Sequence, residues 1–186
     1  MEMNIFLIGF RCSGKTSVGR ELAPRMEKTF VDSDHKFVET FGKPIAEIVK
    51  NQGWQYFRKL EKQIIKEICR ERGQVVATGG GVVLNAANVA VMKKNGILVW
   101  LRADAETTRK RMADDLNTKD QRPSLTSKGL LEEILLTIRN RQQYYDNASN
   151  FSIDTDFKSI NEICNFIIEK IALEDKSREF LNAYIK

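Results

Sequence analysis

The stretch Gly9–Thr16, GFRCSGKT, constrains this chain more than any other. It fits G-x-x-x-x-G-K-[ST] in the context that pattern requires, since the apolar run Asn4–Ile8 reads as a buried strand before it and a helical pattern opens at Lys15. In that setting the glycines let successive backbone N–H groups turn toward phosphate oxygens, and the helix N-terminus adds the positive end of its dipole. Lys15 is expected to reach the β- and γ-phosphates of a nucleotide, and the Thr16 hydroxyl to ligate magnesium. The pattern sets the class and leaves the acceptor open, because motors, GTPases, transporters and small-molecule kinases all carry it. There is no clear N-K-x-D guanine motif and the chain is short for a motor, which makes a compact kinase of metabolites or nucleotides the natural candidate.

Apolar runs and helical patterns alternate along the rest of the chain. Asn4–Ile8, the approach to TFVDSD, QVVAT, ILVWL and FSIDT read as strands buried on both faces. Helical spacing covers Lys15 to Met26, Gly53 to Arg72, Ala105 to Leu116 and Leu130 to Tyr145. Such alternation predicts a parallel sheet with helices on both sides and a site at the carboxyl ends of the strands. With 186 residues, 42% of them hydrophobic, one domain spanning 1–186 is expected. The polar stretch DDLNTKDQRPSLTSKG, about 114–129, is long for a structureless loop in a compact domain, and the charged tail at about 173–186 reads as an appended surface helix.

The net charge of +5 suits nucleic acid, a membrane surface or small anions gathered in one basic cleft, and charge alone does not choose among them. No RNA-recognition motif or zinc spacing favours nucleic acid. No apolar run approaches transmembrane length, and the N-terminal MEMNIFLIGF reads as a strand with no cationic leader. Cys12, Cys69 and Cys164 are odd in number and far apart, which predicts reduced thiols in a cytoplasmic protein.

Three more constellations carry chemistry. VDSD at the end of the second strand is expected to put Asp32 and Asp34 on one face by period-two alternation. One carboxylate could then hold a magnesium hydration shell while the other orients an attacking hydroxyl. The same residues also read as helix-capping aspartates, and it is the neighbouring P-loop that favours the functional reading. In FRKLE, Arg58 and Glu61 share a helical face, where a carboxylate-steered guanidinium suits a substrate carboxylate and an ordinary surface ion pair competes. In VVATGGGVV, Gly79, Gly80 and Gly81 end a strand, and three glycines in a row imply that something lies against bare backbone, most simply a ligand. The single histidine, His35, reads as an exposed residue at a helix start, and Trp54 and Trp100 as packing residues.

In this order and at these spacings GFRCSGKTSVGRELA, VDSD, GKPIAEIVKNQGWQYFRKLE, TGGGVV, QRPSL and RQQYYDNASNFSID resemble the shikimate kinase family, over about Asn4 to Lys170. The resemblance implies a three-layer α/β P-loop kinase fold, adenylate-kinase-like, with a five-stranded parallel sheet in order 2-3-1-4-5 and a lid at about 114–129. It implies magnesium-dependent transfer of the γ-phosphoryl group of ATP to the 3-hydroxyl of shikimate, on the route to chorismate and the aromatic amino acids. It also implies a cytoplasmic monomer that acts on shikimate and ATP, with neither nucleic acid nor membrane as partner. A gluconate or nucleoside-monophosphate kinase would share Gly9–Thr16 but need not combine VDSD, FRKLE and TGGG.

Carried over residue by residue, the resemblance makes Asp34 the group that binds the shikimate hydroxyls and the candidate base. It gives Arg58 and Arg141 the carboxylate, lines the site with Gly79–Gly81, and has Asp32 support magnesium beside Thr16. Gly9, Arg11, Cys12, Ser13, Gly14, Lys15, Thr16 and Ser17 form the ATP cradle. Arg122, in QRP, matches the lid arginine over the phosphates, and Arg111 matches the arginine that stacks on adenine, with Arg109 a close competitor in TTRKRM. Arg141 is chosen over Arg139 because it stands four residues before Tyr145. The chain departs from the family at Cys12, where glycine is common, and in a lid a few residues longer than the short forms; Cys12 is expected to be an inert small residue.

Overall fold

The computed structural model describes residues 3–114 and 130–184, with backbone alone at 130 and from 175 on. Its centre is one parallel sheet of five strands, β1 (Asn4–Ile8), β2 (Thr29–Asp32), β3 (Gln74–Ala77), β4 (Gly96–Arg102) and β5 (Phe151–Asp154), in spatial order 2-3-1-4-5. Around it lie α1 (Lys15–Arg25), α2 (Ser33–Phe41), α3 (Ile45–Ile68), α4 (Ala86–Asn95), α5 (Ala105–Asp114), α6 (Leu130–Ala148) and α7 (Ile160–Tyr184).

Strand β1 shows why the sheet takes three layers. All five of its residues are buried, and alternation sends Ile5 and Leu7 into one apolar cluster and Phe6 and Ile8 into the other. The first cluster receives Val18 and Leu22 of α1 and Ile163 and Ile167 of α7; the second receives Phe57, Ile64 and Ile65 of α3. Each such fully buried side chain contributes roughly 1.5–3 kcal/mol of transfer free energy. A strand buried on both faces therefore commits helices to both sides, and the loops after β1, β2 and β3 meet at one edge.

Several local expectations change. The helix expected from Gly53 to Arg72 starts earlier and ends sooner, at Ile45 and Ile68, and Gly53 breaks it at φ 80, ψ 168. Only glycine adopts that conformation without strain, so the chain re-aims there and presents Trp54, Phe57 and Arg58 in a new direction. Asp32 and Asp34 do not share a strand face. The strand stops at Asp32, which caps α2, accepting from the N–H groups of Asp34 at 3.0 Å and His35 at 3.3 Å. Helix α2 is the one that the capping reading of the aspartates and the helix start at His35 implied, α4 was not expected, and the presumed tail helix is the end of α7, which begins at Ile160. The lid residues 115–129, Arg122 among them, lie outside the described residues. No helix among the described residues is long and apolar enough to cross a membrane.

Candidate active site

The loop between β1 and α1 is closed on itself. The Lys15 ammonium, almost fully buried, donates to the carbonyls of Gly9 at 2.9 Å and Phe10 at 2.6 Å, and to Ser13 Oγ at 3.4 Å. These bonds hold a cation over the hollow of the loop before any phosphate arrives. Gly14, at φ 94, leads into α1, and Ser17 lies exposed in its first turn. Cys12 sits at φ 57, in the left-handed region where a side chain is strained, which accounts physically for glycine being common at that position. Its carbonyl accepts from Arg111 Nη1 at 3.3 Å, and Arg111 also donates to Thr155 Oγ1 at 3.1 Å and to the Thr155 carbonyl at 2.8 Å. Arg111 thus ties the loop to the end of β5, whereas Arg109 faces solvent in a pair with Glu106.

One step along the sheet edge, Thr16 Oγ1 donates to Asp32 Oδ2 at 2.9 Å, while the other oxygen of Asp32 caps α2. Hydroxyl and carboxylate oxygens are the donor type that magnesium takes, with water and phosphate oxygens completing its shell. Among the described residues no group of three His, Cys, Asp or Glu side chains is placed to hold a metal.

Beside the loop a cavity of about 530 Å³, counted to its open mouth, is lined by Arg11, Asp34, Arg58, Glu61, Gly79–Gly81 and Arg141, with Phe10, Trp54 and Phe57 among its apolar walls. Asp34 comes from the first turn of α2, Arg58 and Glu61 from α3, the glycines from the end of β3 and Arg141 from α6. Arg58 Nη1 donates to both Glu61 oxygens, at 2.8 and 2.7 Å, and its guanidinium lies 5.5 Å from the Trp54 ring centre and 5.0 Å from that of Phe57. Burial pushes the Glu61 carboxyl above its ordinary range, and the Arg58 charge opposes that rise. Arg141 Nη1 at 3.0 Å and the Tyr145 hydroxyl at 2.5 Å both donate to the Gly80 carbonyl. Burial lowers the Arg141 pKa from its ordinary value and pushes the Tyr145 phenol up to about 12. Trp100 stacks on Tyr145 with ring centres 5.4 Å apart and is a packing residue, whereas Trp54 is a third exposed and belongs to the cavity wall.

The three glycines have a reason besides the expected ligand. A Cβ at Gly79 would stand 2.8 Å from Asp34 Oδ1, one at Gly80 would stand 3.2 Å from the Arg11 nitrogen, and one at Gly81 would stand 2.1 Å from Arg58 Nη2. The protein's own Asp34, P-loop and Arg58 crowd against this bare backbone, and a side chain there would push Asp34 or Arg58 aside or press on the loop.

Comparison with known proteins identifies this arrangement. The shikimate kinase family profile matches residues 11–172. The chain belongs to the shikimate kinase family. It is 38% identical over 154 residues to shikimate kinase 2 of Photorhabdus laumondii, covering 83% of this chain and 87% of that protein. Its fold matches shikimate kinase from Acinetobacter baumannii in complex with shikimate at a TM-score of 0.86, with 28% identity over 92% of this chain and 94% of that one. It matches shikimate kinase from Aquifex aeolicus at 0.74, with 30% identity over 94% and 98%. Membership makes this chain an ATP-dependent kinase whose acceptor is a hydroxyl of shikimate.

Of the residues expected to act in a shikimate kinase, the fold brings Arg11, Asp34, Arg58, Gly79–Gly81 and Arg141 into one cavity and Lys15, Thr16 and Asp32 beside it. Two residues were missed. Tyr145 entered only as a spacing mark, and it fixes the Gly80 carbonyl. Glu133, fully buried in the first turn of α6, pairs with Arg11. The run of two glutamates at the start of a helical pattern reads as ordinary dipole compensation, so nothing local distinguished it.

Proposed function

We propose that ATP binds on the P-loop side of this cleft and shikimate on the Arg58 side. The observation that carries the reading is the convergence of Asp34, Arg58 and Arg141 on bare backbone within one cavity beside the Lys15 loop. Arg58, held by Glu61, and Arg141, held against the Gly80 carbonyl, offer two cationic forks to the substrate carboxylate. Gripping the carboxylate turns the ring so that the 3-hydroxyl faces the γ-phosphorus, and positioning of this kind supplies most of the catalysis in phosphoryl transfer.

Asp34 binds the acceptor hydroxyl and takes its proton as the new O–P bond forms. The bond between the γ-phosphorus and the β–γ bridging oxygen breaks, and its electron pair leaves with ADP. The Lys15 ammonium stabilises the negative charge that develops there, within reach of the loop carbonyls that already hold it. The backbone of Gly9 and Arg11–Ser17 cradles the phosphates, and Arg111 supports the adenine side at the junction of loop and β5. Thr16 and Asp32 would hold the divalent cation, magnesium, which when bound neutralises phosphate charge. Arg122 takes its part over the phosphates from the resemblance alone. On the same footing the chain works as one cytoplasmic domain, a monomer with 114–129 as its lid, on small molecules and not on nucleic acid or membranes.

Kinetics of Arg58→Ala test the acceptor side. The expected result is a raised KM for shikimate with the KM for ATP little changed, because this contact exists in the ground state and the transition state alike. An unchanged shikimate KM would overturn the assignment.

A further inference from the structure

Arg11 belongs to the phosphate loop by sequence, yet its side chain lines the acceptor cavity with Asp34, Arg58 and Arg141. It is only 7% exposed. Its Nη2 donates to Glu133 Oε1, and its buried Nε–H has no partner among the described residues. An unsatisfied donor on a buried cation is costly, and such a group persists where a ligand completes it. Its backbone belongs to the phosphate loop, packed so closely on the acceptor wall that a Cβ on Gly80 would lie 3.2 Å from the Arg11 backbone nitrogen and 3.4 Å from the Gly9 carbonyl oxygen, which puts Arg11 at the seam of the two half-sites. Glu61 pairs with Arg58 and Glu133 with Arg11, while Arg141 is held by a carbonyl, and its pKa is lowered chiefly by burial with the charges of Arg58 and Arg11 adding to the fall.

We infer that Glu133 is a positioning residue for phosphoryl transfer, holding the Arg11 fork at this seam so that its open edge takes an oxygen of the phosphoryl group as it reaches the acceptor. The chemical class recognised is a phosphate monoester, which an arginine fork fits through parallel N–H bonds. Glu133 touches no substrate and acts through Arg11. The pair also links the P-loop to α6, the helix that carries Arg141 and Tyr145. The inference rests on the reading of this cavity as the acceptor site.

The test compares the full-length wild type with Arg11→Ala, Glu133→Gln and the double variant in an ADP-release assay, titrating shikimate and, as inhibitor, shikimate 3-phosphate. Each single change is expected to lower kcat at least about 10-fold and to weaken product inhibition by a similar factor, with the shikimate KM moved less than about threefold. The double variant is expected to be no worse than Arg11→Ala, since the effect of Glu133 on kcat runs through Arg11. Losses that multiply in the double variant, or a wild-type kcat in Glu133→Gln, overturn the inference. Should Glu133→Gln not fold, Arg11→Met/Glu133→Leu removes both charges together and is expected to fold. It must show the same fall in kcat, and a wild-type kcat there overturns the inference equally. A wild type that leaves shikimate untouched sinks the acceptor-site reading and the inference with it, and that failure is recognised because it appears before any substitution is made.

Discussion

The two sides of the cleft are built by opposite means. On the nucleotide side one short run, Gly9–Thr16, supplies cradle, cation and hydroxyl, and its lysine is held by carbonyls of the same loop. On the acceptor side the arginines come from three different parts of the chain, and each is held by a residue outside the loop: Arg58 by Glu61, Arg141 by its bond to Gly80, Arg11 by Glu133 across 122 residues. A lysine held by its own loop is less open to change elsewhere in the fold. An assembled wall fails when any one of its supports moves. Substitutions on the nucleotide side, and at the Arg11–Glu133 pair where the two sides meet, should therefore alter kcat, and substitutions among the supports of Arg58 and Arg141 should alter shikimate affinity.

The largest effect is expected at Lys15. Lys15→Ala removes the one ammonium fixed over the loop and should lower kcat by about 10²-fold or more, the scale of losing a preorganised charge stabiliser. Steady-state kinetics check this, and a kcat within a few-fold of wild type would break the contrast from the nucleotide side. Next comes Arg58→Ala, which loses charge-assisted bonds to a carboxylate of about 1.5–3 kcal/mol and should raise the shikimate KM roughly 10- to 100-fold. Gly81→Ala is subtler, because its Cβ falls 2.1 Å from Arg58 Nη2 and drives the end of a flexible side chain aside. Its shikimate KM should rise about 10-fold with ATP binding, followed by nucleotide titration, unaffected.

A smaller effect concerns pH. Burial raises the Glu61 pKa above its ordinary 4.5, so the folded enzyme holds this proton more tightly than the unfolded chain. Relative to Glu61→Gln, wild-type stability should fall as pH rises from the ordinary carboxyl range through the raised pKa, and the two should run parallel below that range. Urea denaturation over a pH series reads this difference, and a difference that grows in the opposite direction would contradict the assigned cause. The smallest effect is at Cys12, where glycine would relieve a left-handed residue at φ 57 and raise stability by up to about 1 kcal/mol, visible as a small rise in Tm.

The same contrast explains what could be read from the chain. Asn4–Ile8 and Gly9–Thr16 were legible because burial on both faces and the phosphate pattern are written in consecutive residues. VDSD was misread locally, because a strand end followed by a helix cap has the same spacing of aspartates as a continued strand; only the bonds from Asp34 and His35 to Asp32 distinguish them. Gly53 looked like a helix start and proved to be a break that aims Arg58. Arg111 and Arg109 were separable only by the helix face each occupies. Of the acceptor wall, Arg141 came through family resemblance and Glu133 not at all, since a pair spanning 122 residues leaves no mark in any local window.

The most direct test of the account is ADP release with MgATP and a panel of shikimate, quinate, gluconate, CMP and AMP, run on the wild type and on Asp34→Asn. The account predicts saturable turnover with shikimate alone, abolished by the substitution. Turnover with another member of the panel, or an Asp34→Asn enzyme that phosphorylates shikimate at the wild-type rate, would contradict it.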